Sequence, residues 1–210
     1  MVPRVLSLML VLTLLTGLCA ERASAAEPTA WIAEGRAALR AAATGESGAA
    51  ARALAAFERA LQGAPEDAVA RAGRGLALIA QALEAPLREK LRLARRGCAE
   101  LDAAVAAAPH DLEVRLMRAT SAVQMPLLLE RSALAEADFE YLLAAARDSQ
   151  VTMPASIRRS IFYQAAAFAL KERRTGAVDL LEEAVSIHAA EPSDDQVQSM
   201  LALARRQLTS

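Results

Sequence analysis

The sequence predicts an all-α protein of antiparallel helical hairpins, and three observations lead to that fold class. The chain is alanine-rich, with 54% hydrophobic but only 3% aromatic residues, which suits closely packed helices better than sheets. Glycine and proline are sparse, at 9 and 8 residues, and most prolines lie where a helix would begin. A pattern with helical spacing also repeats about every 40 residues. Together they favour stacked hairpins.

Start and stop signals along the chain predict eight or nine helices. Prolines open several of them, Ser47 is the expected N-cap of the second, and Ser193 with Gln196 resembles a capping box before the last. In order, the predicted helices cover about 28–43, 48–61, 66–85, 86–108, 112–124, 130–147, 155–173, 176–190 and 194–208.

The repeat consists of a small residue, a large apolar residue four positions later, and an alanine three beyond that. Residues so spaced share one helix face, where the small residue admits a neighbouring helix and the large one fills the gap. The large residues recur at intervals of 44, 40 and 40. The four copies are Ala53, Phe57, Ala60; Gly97, Leu101, Ala104; Ala137, Tyr141, Ala144; and Ala177, Leu181, Ala184.

This pattern resembles the tetratricopeptide repeat, which has a small residue in its first helix and A-x-x-x-F…P in its second. The matching first-helix residues are Gly35, Gly75, Ala119 and Ala165, and the resemblance covers about residues 28–190. The segment from Leu91 to Leu143 is also similar to a group of exported bacterial proteins of this type. The resemblance implies a short array of stacked hairpins that binds partners, and it implies no catalytic activity.

The N-terminus resembles a cleavable export signal. Arg4 precedes an apolar run from Val5 to Leu18, and Ala23-Ser24-Ala25 is a small-x-small cleavage pattern. We therefore expect a signal peptide over residues 1–25, one helical domain over 26–210, and a periplasmic location. Cys19 leaves a lipoprotein as an alternative, although Leu18 stands where lipid attachment favours a small residue.

Composition and motifs also limit the function classes. A net charge of −1 gives no reason to expect binding to nucleic acid or to anionic lipid, and no later segment predicts a membrane span. Neither histidine, His110 nor His188, has metal-ligand spacing, and no cofactor motif or nucleophile motif is present. We expect no enzyme, no cofactor and no metal. Cys98 is expected to be buried, with pairing between chains as the alternative.

Arg115 and Arg118 are the candidate binding residues. Arg115 falls where a tetratricopeptide unit places a packing residue, and Arg71 has the same place one unit earlier. One interpretation is an ion pair between helices, with Asp102 or Asp138 as the acid. The other is that both guanidinium groups hold a ligand carboxylate or another small anion. A cavity containing both groups without acidic partners would favour the second interpretation, and salt bridges would argue against it.

The first helices of the array are expected to present an apolar face. Its residues are Leu76, Ile79, Leu116, Thr120, Val123, Phe162, Ala166 and Leu170. They form either an open groove for a peptide or the core of a closed bundle. The leading hypothesis is an exported, non-catalytic scaffold or adaptor for a protein or peptide partner. The alternative is a helical protein that binds a small anionic ligand through Arg115 and Arg118.

Overall fold

The computed structural model describes residues 27–124, 131–189 and 192–208, and in these ranges the chain is helical without strands. The all-α prediction is therefore confirmed. We number the helices in chain order: α1 27–43, α2 Ala49–Gly63, α3 Ala68–Glu84, α4 Leu87–Ala107, α5 Leu112–Gln124, α6 Ser132–Arg147, α7 Ala155–Lys171, α8 Ala177–Val185 and α9 Asp194–Leu208.

Contacts divide the chain into two compact units. Unit 1 is Met1–Ala107 and holds α1 to α4, and unit 2 is Ala108–Ser210 and holds α5 to α9. The single domain expected over 26–210 stays a prediction. Residues 1–25, with the expected export signal and Cys19, lie outside the described residues.

Glycines set the helix spacing in unit 1, as the repeat predicted. A Cβ atom on Gly75 would lie 2.8 Å from the carbonyl oxygen of Gly97, and one on Gly97 would lie 2.6 Å from that of Gly75. The Phe57 ring fills the gap beside Gly35 and Gly73, where an added Cβ would meet it at 2.7 Å and 2.2 Å. The backbones of α3 and α4 can approach this closely only because both contact residues lack a side chain.

Unit 2 is built from two hairpins, α5–α6 and α7–α8, and the final helix α9. Each helix packs on the next along the chain, and α7 also contacts α5 and α9. Its core includes Leu142, Ile161, Phe162, Leu181 and Val197. The small first-helix residues Ala119 and Ala165 are buried in this core, as expected.

The third copy of the repeat was predicted in the wrong register. Ala137, Tyr141 and Ala144 lie on the exposed side of α6, and the helix buries Asp138 and Leu142 instead. The hydrophobic face is therefore displaced by one residue from the predicted face. The aspartate now occupies the inward position that the pattern assigned to a small residue, and this places its carboxylate between helices.

The helix ends confirm some of the predicted caps and correct others. Ser193 and Gln196 form the expected capping box, with the Ser193 amide donating to Gln196 Oε1 at 2.8 Å. Asp67 caps α3 by accepting from the Ala70 amide at 2.8 Å. Ser47 is not the N-cap of α2, because Gly48 takes that place with a φ of 72° that favours glycine. Helix α8 ends at Val185, five residues earlier than predicted.

Candidate functional site

Arg115, Arg118 and Asp138 form one cluster between α5 and α6, which we call the arginine–aspartate cluster. Arg115 Nη1 donates to Asp138 Oδ1 at 2.7 Å. Arg118 donates through Nε to Oδ2 at 2.7 Å and through Nη2 to Oδ1 at 2.8 Å. The Asp138 side chain has no solvent exposure. Because the arginines are three residues apart, they reach this carboxylate from one side of α5.

Arg115 is also held by groups at the start of its own helix and by an aromatic ring of α6. Its Nε donates to the Pro109 carbonyl at 2.6 Å, and its guanidinium carbon lies 4.2 Å from the centre of the Tyr141 ring. The Tyr141 hydroxyl is 3.1 Å from Nδ1 of His110. These contacts fix the guanidinium plane, so little freedom remains for Arg115 to turn toward a ligand.

Unit 1 contains a similar arrangement of two arginines, a proline carbonyl and an acid. Arg71 Nη2 donates to the Pro65 carbonyl at 3.4 Å, as Arg115 does to the proline six residues before it. Arg74, three residues after Arg71, pairs with Glu100 of α4 at 2.5 Å. In both units, therefore, two arginines on the first helix of a hairpin contact the carbonyl of the preceding proline and an acid of the second helix.

This geometry favours the interpretation of Arg115 and Arg118 as an ion pair between helices. The structure brings both arginines to Asp138, the second of the two acids considered, and both guanidinium groups donate to it. Because both guanidinium groups already have an acidic partner, the salt bridges argue against a small-anion site at these arginines. The cluster holds α6 on α5.

A buried arginine of unit 2 was missed from the sequence. Arg159 on α7 is 1% exposed and donates to the Ala189 carbonyl at 2.8 Å and to Asp194, the first residue of α9. It ties the segment after α8 to the start of α9. Arg158 and Arg159 are adjacent in the sequence, and the helical pattern does not indicate which of the two is buried.

The predicted apolar face lies mostly inside the units. Ile79, Leu116, Phe162 and Ala166 are buried, while Leu76, Thr120 and Leu170 are partly exposed. The side chain of Val123 lies outside the described residues. These burials favour the core interpretation of the face, and a partner would have to use other surfaces of the described chain.

A cleft in unit 2 was also missed from the sequence. It has a volume of about 570 Å³ and lies where α7 ends and α8 begins, beside α9. Leu170, Val178 and Ala204 give it apolar walls. Its rim is mainly basic, with Lys171, Arg173 and Arg174 and a single acid, Asp179. The run of basic residues before Thr175-Gly176 was the available sequence signal. We call this feature the α7–α8 cleft.

The three basic residues of this cleft are held differently. Arg174 donates through Nη2 to Glu136 Oε2 at 3.0 Å, and this hydrogen bond holds the pKa of Glu136 below its ordinary value. Lys171 Nζ is 3.5 Å from the Ala122 carbonyl. Arg173 is exposed and has a φ of 54°, the left-handed conformation. It is the rim cation best placed to meet an anionic group from outside.

The remaining candidate residues have ordinary surroundings. Cys98 is buried, as expected. His110 is exposed beside Tyr141, and His188 is exposed after α8. Across the described ranges, no three His, Cys, Asp or Glu side chains are grouped so that they could hold a metal ion.

None of the helices in the described part of the chain combines the length and the apolar character needed to cross a bilayer. No model of a known family, no curated protein and no solved structure matches this chain.

Proposed function

We propose that this chain is an exported, non-catalytic helical scaffold or adaptor that binds a protein or peptide partner in the cell envelope. The export step rests on the apolar run and cleavage pattern of residues 1–25. The scaffold role rests on the stacked hairpins and on the resemblance of their repeat to the tetratricopeptide pattern.

The α7–α8 cleft is the observation that carries the partner-binding role. Its apolar walls can take an aliphatic side chain, and its basic rim can take a carboxylate of the same segment. A volume of about 570 Å³ accommodates a few residues of an extended peptide. The partner segment is therefore expected to be apolar with an acidic residue.

A crosslinking experiment in exporting cells tests this role. A photo-crosslinking residue replaces Gln207, which lines the cleft, and in a second strain it replaces Glu58, which is exposed on α2. We expect a discrete protein adduct at position 207 and none at position 58. The adduct is identified by mass spectrometry and then purified for binding measurements.

Binding of that purified protein is compared for the wild type and a Lys171→Gln/Arg173→Asn variant. Asparagine is chosen because it tolerates the left-handed backbone of Arg173. Loss of a charged hydrogen bond predicts affinity weaker by about ten-fold or more. The control, Arg40→Gln/Arg52→Gln, removes the same charge from exposed residues of unit 1 and should bind as wild type does.

Two results would contradict the proposal. One is that no adduct specific to position 207 forms. The other is that both variants bind equally. A small molecule found by native mass spectrometry in protein from its own host, without a protein adduct, would favour the ligand-binding alternative instead.

A further inference from the structure

Three leucines of unit 1 are exposed at the point where α3 ends and α4 begins. Leu83, Leu87 and Leu91 are 63%, 84% and 42% exposed. Leu87 and Leu91 are one turn apart on α4 and lie beside its core face, which is formed by Leu93, Ala94, Gly97 and Cys98. Leu87 and Leu91 form a ridge of apolar side chains that unit 1 leaves uncovered, and Leu83 adds an exposed leucine near the end of α3.

A row of arginines runs along α4 next to this ridge. Arg88, Arg92 and Arg95 are exposed and follow one another at spacings of four and three residues, so they share one side of the helix. Arg92 pairs with Glu89. The side chains of Arg88 and Arg95 make no ion pair or hydrogen bond to any described residue. We call these three arginines with the three leucines the basic leucine face.

The local charge of this region differs from that of the whole chain. Residues 83–96 contain five basic and two acidic side chains, whereas the complete chain has a net charge of −1. The near-neutral total therefore hides a concentrated positive surface. A binding partner with complementary chemistry would carry negative charge next to apolar groups.

We propose that the basic leucine face docks unit 1 on an anionic phospholipid surface. Exposed leucines next to a row of arginines are typical of helices that lie in the membrane interface, where leucines enter the acyl boundary and arginines contact phosphates. Leu87 protrudes, with 84% of the residue exposed, which suits insertion into a fluid lipid layer. A protein partner, in contrast, would need a pocket shaped to enclose this leucine.

A second copy of the chain fits this face poorly. Two identical faces would bring together two copies of a segment that has five basic and only two acidic side chains, and this excess of positive charge opposes their association. An acidic segment of a protein would satisfy the charges, and the test below separates it from lipid. This inference is independent of the α7–α8 cleft, since no residue is shared.

The test is a flotation assay with vesicles of phosphatidylglycerol and phosphatidylcholine, and with vesicles of phosphatidylcholine alone. Every protein is recovered from exporting cells and has the same N terminus by mass, so any contribution of that terminus is constant. We expect binding that prefers the anionic vesicles and falls as salt is raised. The Arg88→Ser/Arg95→Ser variant should bind anionic vesicles roughly 25-fold more weakly, since each arginine near such a surface contributes about five-fold.

The matched control is Arg52→Ser/Arg205→Ser, which removes the same charge from two exposed ion-paired arginines. It should keep wild-type binding. Leu87→Ser/Leu91→Ser should lose binding although its charge is unchanged, because the apolar ridge is removed. Circular dichroism establishes that each variant has the wild-type helix content.

A fluorescence measurement places the contact on α4. In a Trp31→Phe background, Leu87→Trp should show a blue shift of tryptophan emission when anionic vesicles are added, and Leu203→Trp on α9 should show none. Equal binding of the charge variant and its control, or no salt-sensitive preference for anionic vesicles, would overturn the proposal. If the wild type then binds a synthetic amphipathic Leu/Glu peptide, the face is assigned to an acidic protein segment instead.

Discussion

A carboxylate that has lost all contact with solvent is stable only when charged or polar groups replace the water around it. Asp138 is such a carboxylate, and the three hydrogen bonds from Arg115 and Arg118 supply the replacement. The sequence predicted that these arginines need an acid and offered Asp102 or Asp138. It could not choose between them, because the choice depends on a one-residue register on α6.

The Asp138→Asn variant tests how much the hairpin α5–α6 depends on this carboxylate. The change keeps the side-chain shape and removes the charge that neutralises two largely buried guanidinium groups. Breaking a buried ion pair on one side is costly, so the free energy of unfolding should fall by about 3 kcal/mol. Urea denaturation followed by circular dichroism measures this loss.

The control for this variant is Glu183→Gln, which removes the acid paired with Arg147 on the surface of unit 2. The hydrogen bond to Glu183 raises the pKa of Arg147, yet both groups keep access to water. An exposed pair of this kind contributes about 0.5 kcal/mol or less. Equal losses in the two variants would show that the arginine–aspartate cluster does not stabilise the hairpin.

At the scale of elements, the repeat predicted packing better than it predicted register. The glycine and phenylalanine positions of α1 to α4 follow the pattern, because only residues without a side chain allow such close helix contacts. In α6, alanines occupy both candidate faces, and Tyr141 looked like the large inward residue. Alanine gives little hydrophobic contrast between faces, so the burial of Asp138 and Leu142 could not be read from the sequence.

The Gly97→Ala variant tests the contact between α3 and α4. Alanine is the better helix former by about 1 kcal/mol, so intrinsic propensity predicts stabilisation. The added Cβ would stand 2.6 Å from the Gly75 carbonyl oxygen, which is backbone and can yield only if the helices separate. Overpacking of this kind costs about 1–3 kcal/mol, so we expect the midpoint of urea unfolding to fall.

Ala99→Gly on the exposed side of the same helix is the matched control. At this exposed position only helix propensity distinguishes the two residues, so the Ala99→Gly protein should be less stable than the wild type by about 1 kcal/mol. Glycine should therefore be the more stabilising residue at position 97, and alanine at position 99. A stabilised Gly97→Ala protein would mean that α3 and α4 do not approach each other as closely as the structure indicates.

For the whole molecule, composition and hairpin spacing were enough to predict an all-helical chain, since alanine-rich amphipathic segments have few other ways to bury their apolar faces. The division into two units was not predicted. The proline at position 109 looked like the other helix-opening prolines, and nothing in the repeat separates a hairpin boundary from a unit boundary. The α7–α8 cleft and the basic leucine face depend on three-dimensional exposure, which periodicity does not contain.

The two units should fold independently of each other. Each has its own buried core, with Ala38, Phe57 and Ala77 in unit 1 and Leu142, Phe162 and Leu181 in unit 2. A compact unit with its own core can fold alone. We expect fragments 26–107 and 108–210 each to show a helical circular dichroism spectrum and cooperative thermal unfolding. Asp138→Asn in the second fragment should lower its stability as it does in the full chain. A fragment that is helical only when its complement is added would show that the two units form one cooperative domain.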